Sequence, residues 1–132
     1  MNLSKINVPI FGDTEYRGKC PLENAEQITF FSRLRRGHPA TWGKIGIHVK
    51  NEGKRNAKQV SRDKVSGMTT GACDIIVGGF YCELKRRDHT KSTISDDQIE
   101  YLDAASKAGM FACVALGVDA AWEAFHVYIN SL

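Results

Sequence analysis

Two consecutive glycines at residues 78–79 separate two apolar runs. This pair constrains the fold more than any other feature of the chain. The runs are CDIIV at 73–77 and FYCELK at 80–85, rich in the β-branched and aromatic residues that favour strands. A two-residue hairpin turn needs positive φ, which glycine adopts readily. The sequence therefore predicts an antiparallel hairpin in which Val77 pairs with Phe80.

The register of this hairpin brings two acidic residues together. Continued outward from the turn, the pairing sets Asp74 opposite Glu83, with their Cβ atoms ~5 Å apart. Lys85 projects from the same face as Glu83, ~7 Å further along the strand. Opposed carboxylates repel each other, and burial increases the cost. A proton on one acid, pairing with the lysine or a divalent cation would relieve the repulsion.

Two interpretations of these residues fit the sequence. In the first, the acids and a nearby backbone carbonyl bind Mg²⁺ or Mn²⁺, which prefer hard oxygen ligands. The pattern D-x8-E-x-K then suits metal-assisted phosphodiester hydrolysis, in which a lysine orients or deprotonates the attacking water. In the second, Glu83 and Lys85 form a structural ion pair and Asp74 is exposed at the end of a strand. The residues alone leave both open.

Periodicity predicts the other elements. Apolar spacing, capping signals and terminal glycines favour helices at 21–37, 57–67, 95–109 and 119–129. Alternation in KIGIHVK at 44–50 favours a half-buried strand, and the continuous apolar run at 110–116 favours a strand buried on both faces.

Individual residues refine these helices. Ile28, Phe31 and Leu34 recur at helical spacing and are predicted to face the core. Ser95 and Gln98 have the spacing of a capping box, and Asp119 is predicted to cap the last helix.

The order α-β-α-β-β-α-β-α predicts one α/β layer domain at 22–132, a normal length for a single domain. Residues 1–21 lack a clear period and are predicted to form an N-terminal arm that swaps onto or covers a partner. No apolar stretch reaches the ~18 residues of a membrane span, and there is no export signal, so a cytoplasmic location is predicted. The four cysteines form no C-x-x-C pair and are predicted to be reduced structural thiols.

Charge is unevenly distributed along the chain. The net charge is only +3, but ten Lys or Arg and five acids lie between residues 50 and 91. A local excess of positive charge indicates an anionic partner such as nucleic acid. The predicted contacts with DNA are Asn51, which otherwise holds its turn, and the basic residues Lys54, Arg55, Lys58, Arg62, Arg86, Arg87 and Lys91.

The hairpin GACDIIVGGFYCELKRRD and the following SDDQIEYLDAASKAGMFACVALG resemble the PD-(D/E)xK nuclease superfamily. Within it, the chain resembles the small stand-alone VRR-NUC nucleases, many of them encoded by phages and prophages. The blocks LENAEQITFFSRLRR, HVKNEGKRN and SGMTTGACD extend the resemblance over residues 22–129. It implies a restriction-endonuclease-like core, with a central mixed β-sheet flanked by helices.

The resemblance also implies roles for particular residues. Asp74 and Glu83 would be metal ligands, with the backbone carbonyl of Leu84 as a third, and Lys85 would be the catalytic lysine. Cys73 departs from the family pattern, because many relatives have proline at the position before the metal-binding aspartate.

Two further assignments come from the helices. Glu26 matches an acid of the first helix that reaches the same metal or its water shell in many relatives, and Glu23 is a rival for that role. Gln98 matches a glutamine that supports the site from the neighbouring helix.

Together these features predict an Mg²⁺- or Mn²⁺-dependent DNA endonuclease with no small-molecule cofactor and no membrane association. No element resembles a base-reading module, which favours structure-selective cleavage over site-specific cleavage. The resemblance implies a homodimer acting on branched DNA, such as a four-way (Holliday) junction, in the host cytoplasm if a phage encodes it. The alternatives are a DNA-binding protein of the same fold that does not cut, and a protein that inhibits a host factor.

Overall fold

The computed structural model describes residues 1–49, 67 and 69–132. The predicted helix at 57–67, apart from Gly67, lies outside the described residues. So do five of the predicted DNA contacts, namely Asn51, Lys54, Arg55, Lys58 and Arg62.

Five strands of the described residues form one mixed sheet in the order β1-β5-β4-β3-β2. The strands are β1 (Ile10–Phe11), β2 (Ile47–His48), β3 (Ile75–Val77), β4 (Phe80–Lys85) and β5 (Phe111–Leu116). β5 runs parallel to β1 and β4, whereas β3 runs antiparallel to β2 and β4.

Helices cover both faces of this sheet. In the described part of the chain they are α1 (Glu23–Gly37), the single turn α2 (Trp42–Ile45), α3 (Asp96–Lys107) and α4 (Val118–Asn130). Single 3₁₀ turns lie at Leu3–Lys5 and His89–Lys91. α1 and α4 pack against one face, and α3 packs against the other. The predicted α/β fold, a mixed sheet flanked by helices, is confirmed.

The alternation of side chains along β5 shows where the core lies. Cys113 and Ala115 pack with α1 and α4, whereas Ala112, Val114 and Leu116 belong to the cluster on the α3 side. A strand covered on both faces has to be apolar at every position. This explains the continuous apolar run and confirms the prediction made from it.

The predicted hairpin is present. Ile75 pairs with Cys82 and Val77 with Phe80, with Gly78 in the turn at φ +60°. A Cβ atom on Gly78 would lie 2.8 Å from the Trp42 ring. Both the backbone conformation and the packing therefore require glycine at this position.

The prediction of a half-buried strand at 44–50 is wrong for most of these residues. Lys44 and Ile45 belong to α2, and β2 has only two residues, of which Ile47 is 54% exposed. The Trp42 ring packs against aromatic rings of α4, with centroids about 6 Å apart, and this packing holds a helical turn where the alternation favours a strand.

Two predictions about helix residues are also wrong. Ile28 is 65% exposed, and Phe30 takes its place in the core because its ring packs against aromatic rings of β4 and α4. Gly117, not Asp119, is the N-cap of α4. The Asp119 carboxylate instead accepts a hydrogen bond from Arg33 of α1 at 2.8 Å.

The N-terminal residues contribute to the same sheet. β1 pairs with β5, and Val8 is buried in the apolar cluster on the α3 side. The division between an arm at 1–21 and a domain at 22–132 stays a prediction.

All four cysteines lie in the described residues and are free thiols, and Cys73, Cys82 and Cys113 are buried. Burial raises the pKa of the Cys73 thiol well above its usual range, which keeps it protonated and unreactive. Among the residues that the structure describes, no helix is long and apolar enough to cross a membrane.

Candidate active site

Asp74 lies one residue before β3, beside the middle of the sheet. Its Oδ2 atom accepts a hydrogen bond from the backbone N–H of Leu84 at 3.0 Å. Its backbone carbonyl accepts a hydrogen bond from the N–H of Val49 at 3.0 Å, on the opposite side. One step beyond the last ladder pair, Ile75 with Cys82, the register sets Asp74 across from Glu83. The side chain of Asp74 is thus held from β4, and its backbone is held from the residue that follows β2.

Glu83 and Lys85 project from β4 into a polar network beneath α3. Glu83 is 1% exposed and Lys85 is 3% exposed. The Lys85 Nζ atom lies 3.4 Å from Glu83 Oε1 and 3.4 Å from Gln98 Oε1. Gln98 Nε2 donates to Glu83 Oε1 at 3.1 Å. The structure therefore brings three of the predicted site residues together from two elements.

The start of α3 sets the orientation of the Gln98 amide. Gln98 Oε1 accepts a hydrogen bond from the Ser95 N–H at 2.9 Å, and Ser95 Oγ accepts one from the Gln98 N–H at 3.1 Å. This is the capping box expected from the sequence. With the amide oxygen committed to Ser95, the amide nitrogen points toward Glu83, so the helix cap and the site share one side chain.

Electrostatics at Glu83 are unfavourable without a further partner. Burial, and then the proximity of Asp74, raise the pKa of Glu83 well above its usual range, against the opposing effect of Lys85. The Glu83 Oε2 atom is buried and has no hydrogen-bond partner in the described structure. Native proteins pair such atoms with few exceptions, so this oxygen is a candidate metal-ligating atom.

The donor set fits a hard divalent cation. No group of three or more His, Cys, Asp or Glu side chains suited to a metal occurs in the described part of the chain. Mg²⁺, however, keeps several waters and needs only one or two carboxylates from the protein. Leu84 directs its N–H to Asp74, and in a strand the N–H and C=O of one residue point to the same side. The Leu84 carbonyl therefore faces the edge of β4 on which Asp74 lies.

A cleft of about 660 Å³ opens beside this network. Lys85 and Gln98 line it, together with the first residues of α1 and the loop after β4. The other lining residues are Leu22, Glu23, Asn24, Arg86, Lys91, Ser92, Thr93 and Ser95. Lys85 and Gln98 of the polar network thus reach the cleft, whereas Asp74 and Glu83 are not among the residues that line it.

The two acids of α1 have different positions. Glu23 lines the cleft, and its Oε1 atom accepts a hydrogen bond from Ser92 Oγ at 2.9 Å. Glu26 is buried, and its Oε2 atom accepts a hydrogen bond from the N–H of Val118 at the start of α4. The structure therefore shows Glu26 in a capping role and Glu23 in the cleft. The role of Glu26 at the metal stays a prediction.

The three described basic residues of the predicted DNA contacts belong to the loop after β4. Arg86 and Lys91 line the cleft, and Arg87 is exposed. Their side chains contact the segment that leads into α1. Their role toward DNA stays a prediction.

Two residues of this loop were missed by the sequence analysis. Asp88 accepts hydrogen bonds from Thr90, at its N–H and hydroxyl, and from the Gly18 N–H, and these bonds lower its pKa to about 2. Buried Ser92 accepts a hydrogen bond from the Arg86 N–H at 3.0 Å and donates to Glu23. An aspartate two residues before a threonine is a known turn signal, and it could have revealed Asp88. Nothing local marks Ser92.

Comparisons with known proteins bear on the fold. No family model matches the chain, and no curated protein matches it. It is similar to a solved structure named VRR_NUC domain protein, at a TM-score of 0.69 and 20% sequence identity, over 87% of this chain and 92% of that chain. A similarity at this identity concerns the fold and not the activity. The resemblance drawn from the motifs is confirmed at this level: the chain has the fold of a VRR_NUC domain.

Proposed function

We propose that this protein is a divalent-cation-dependent endonuclease that hydrolyses phosphodiester bonds in DNA. The observation that carries the proposal is the buried Glu83 carboxylate, which lies beside Asp74 and has one oxygen without a hydrogen-bond partner among the described residues. Lys85 and Gln98 contact the other oxygen and line an open cleft. A structural pair of Glu83 with Lys85 engages only Oε1 and would leave the other oxygen and the cleft without a role.

Asp74, Glu83 and the Leu84 carbonyl would hold Mg²⁺ or Mn²⁺. When bound, such a cation supplies neutralising charge to a phosphate and makes a nearby water more acidic. The residues themselves contribute a fixed arrangement of oxygen ligands, because the hydrogen bond from Leu84 holds Asp74 and that from Gln98 holds Glu83. The fit of this donor set supports the proposed cofactor.

Lys85 is the only Lys or Arg side chain in the described polar network at Glu83. Its Nζ atom carries three donors, so it would orient a water in the cleft or stabilise the negative charge that develops on the phosphate. Gln98 would act as a positioning residue, since it contacts both Lys85 and Glu83. This division assigns orientation of the water and charge stabilisation to Lys85.

The substrate we propose is the DNA backbone, cut with structure selectivity at branched DNA such as a four-way junction. Arg86 and Lys91 lie at the cleft and suit phosphates, which carry no sequence information. One site cuts one strand, so resolution of a junction would need a homodimer. The proposed setting is the cytoplasm, that of the host if the protein is encoded by a phage.

A cleavage assay tests this function. Labelled duplex, flap and four-way junction DNA, with an RNA of matched length, are incubated with Mg²⁺, Mn²⁺ or EDTA. We expect metal-dependent products that are lost in Asp74→Ala and Lys85→Ala and retained in Lys107→Ala, a variant of an exposed lysine on α3. Tight DNA binding with no product in any metal would contradict the enzyme and favour a binding protein of this fold. Neither binding nor cleavage would favour an inhibitor of another protein.

Cation binding can be tested without activity. Thermal unfolding is measured with and without Mg²⁺ or Mn²⁺, because a ligand that binds only the folded state stabilises it. We expect a rise in the melting temperature that is lost in Asp74→Asn and Glu83→Gln. An equal rise in the wild type and both variants would place the cation elsewhere.

A further inference from the structure

Residues 12–22 form a strap between β1 and α1. Every residue of this strap lies in the described part of the chain, and none of them is buried. Its two ends are fixed, because β1 belongs to the sheet and α1 packs on the core. A segment with few apolar contacts and exposed hydrogen bonds opens at low free energy. Polar contacts therefore decide whether the strap stays closed.

Arg86 and Lys91 supply most of these contacts. The Arg86 guanidinium donates to the carbonyls of Cys20 at 2.7 Å and Pro21 at 3.2 Å. The Lys91 Nζ atom donates to the carbonyl of Gly18 at 2.8 Å. Both cations thus direct donors to neutral backbone oxygens of the strap.

Arg87 and Asp88 add two more contacts. The Arg87 guanidinium lies over the ring of Tyr16, with its Cζ atom 3.9 Å from the ring centroid. Asp88 accepts a hydrogen bond from the Gly18 N–H at 3.0 Å. Arg86, Arg87 and Asp88, which follow one another in the chain, therefore hold both the middle and the end of the strap.

These contacts are of a kind that a phosphate can replace. A hydrogen bond from a guanidinium or ammonium group to a phosphate oxygen is about twice as strong as one between neutral groups, since both partners are charged. A carbonyl offers no net charge, and an exposed cation–π contact is weak. A phosphodiester backbone would therefore compete well for all three basic side chains.

The strap lies beside the cleft, so competition between a phosphate and the strap for these side chains would take place at the cleft. Leu22 at its end lines the cleft, as do Arg86 and Lys91, and Lys85 and Gln98 lie on the same wall. Opening the strap would release two cations beside the candidate active site.

We propose that the strap is an autoinhibitory element that occupies the phosphate-binding side chains until a nucleic acid backbone displaces it. The inference rests on the proposed function, because it takes the ligand of that same cleft to be a phosphodiester chain. It adds that the ligand opens the protein at residues 12–22, and that Arg86, Arg87 and Lys91 change partner when it binds.

Cys20 is a natural reporter of this movement. It is half-buried within the strap, whereas the other three thiols are buried in the core. The rate at which N-ethylmaleimide modifies Cys20 is measured by mass spectrometry on the full chain in EDTA, with increasing duplex or four-way junction DNA. Fluorescence anisotropy follows binding in the same samples, and sodium chloride at equal ionic strength is the control.

We expect the modification rate to rise several-fold and to saturate together with binding. If DNA binds and the modification rate of Cys20 stays the same or falls, the autoinhibitory role of the strap is overturned. The proposed function would stand. No binding of any nucleic acid, either in EDTA or with Mg²⁺ or Mn²⁺, would overturn both. Because EDTA prevents metal-dependent cleavage, a failure of catalysis does not affect the outcome.

A second measurement tests the closed state itself. Without DNA, Lys91→Ala and Arg87→Ala are expected to raise the Cys20 modification rate several-fold, since each removes one contact with the strap. Lys107→Ala, at the exposed C-terminal end of α3, serves as the matched control and should react like the wild type. Equal rates in all four proteins would show that these side chains do not hold the strap, and would overturn the proposal.

Discussion

At the scale of single residues, Glu83 is the position whose side chain, a buried carboxylate, most disfavours the stability of the fold. Its neighbours along β4, Cys82 and Leu84, are buried and apolar, and one of its carboxylate oxygens has no partner in the described structure. Proteins violate their own packing rules mainly at functional sites, and strongly shifted pKa values cluster there. Glu83 is therefore the residue whose replacement is most informative.

We expect Glu83→Gln to reduce the pH dependence of stability in EDTA. Burial and Asp74 raise the pKa of Glu83, so the folded state binds its proton more tightly than the unfolded state does. The stabilisation is complete below the unfolded pKa of about 4.3 and is lost as pH rises through the higher folded pKa. A tenfold difference in proton affinity between the two states corresponds to about 1.4 kcal/mol of stability.

Urea denaturation at about pH 5 and pH 8 measures this effect. The wild type should lose more stability between the two values than Glu83→Gln does. Glu100→Gln, at an exposed position on α3, is the control and should follow the wild type. An unchanged pH dependence in Glu83→Gln would show that this carboxylate titrates normally.

At the scale of elements, the segment before β3 has to pass close to the start of α3. Gly71 has φ +76°, and a Cβ atom there would lie 2.5 Å from the backbone carbonyl of Asp97. The same segment leads to Asp74, and α3 carries Gln98. A glycine therefore sets the approach of two elements that each contribute to the site.

We expect Gly71→Ala to destabilise the protein more than Gly109→Ala. Gly109 also has positive φ, at +92°, but a Cβ atom there meets no atom of the described residues within 4 Å. Both substitutions should cost roughly 1–2 kcal/mol of backbone strain, and Gly71→Ala should cost more because backbone atoms must move. Urea denaturation measures the difference, and equal losses would contradict the clash.

A second junction between elements is the hydrogen bond from Val118 at the start of α4 to Glu26 of α1. Glu26→Gln removes the negative charge from the N-terminus of α4, where the helix dipole favours it. We expect a loss of about 1–2 kcal/mol in the free energy of unfolding, with the Mg²⁺-induced rise in melting temperature retained. Loss of that rise would show instead that Glu26 is a metal ligand, as the resemblance implies. Glu23→Gln gives the matched comparison.

At the scale of the whole molecule, charge matters by its position more than by its total. The chain has 18 basic and 15 acidic residues, a net charge of +3. The described cations Arg86, Arg87 and Lys91 nevertheless gather at one loop beside the cleft. A cluster of this kind favours an extended polyanion over a small acidic ligand.

We expect DNA affinity to fall as salt rises, with a slope that depends on these residues. Each phosphate contact contributes a slope of about −0.9 in log K against log salt, so Lys91→Ala should reduce the slope by about 1. Fluorescence anisotropy from about 50 to 200 mM salt measures it, with Lys107→Ala as the control. An affinity insensitive to salt would count against phosphate contacts.

Much of the fold could be predicted because its signals are local. The turn of Gly78, the capping box of Ser95 and Gln98, and the apolar run of β5 each depend on residues close in sequence. β1 and α2 could not be predicted, because a two-residue strand and a single helical turn carry little signal of their own. They exist through contacts with distant partners, β5 for one and the aromatic rings of α4 for the other.

The candidate site likewise has a part that local sequence predicts and a part that depends on distant contacts. The order D-x8-E-x-K and the two-glycine turn are enough to set Asp74 beside Glu83 and Lys85, because strand pairing follows from turn length. Tertiary packing alone decided that Glu23 lines the cleft while Glu26 caps α4, since both acids lie on one helix and only its docking distinguishes them. It also decided that Arg86, Arg87 and Lys91 contact the strap, because those partners lie about 65 to 75 residues apart in sequence and such pairings leave no local pattern.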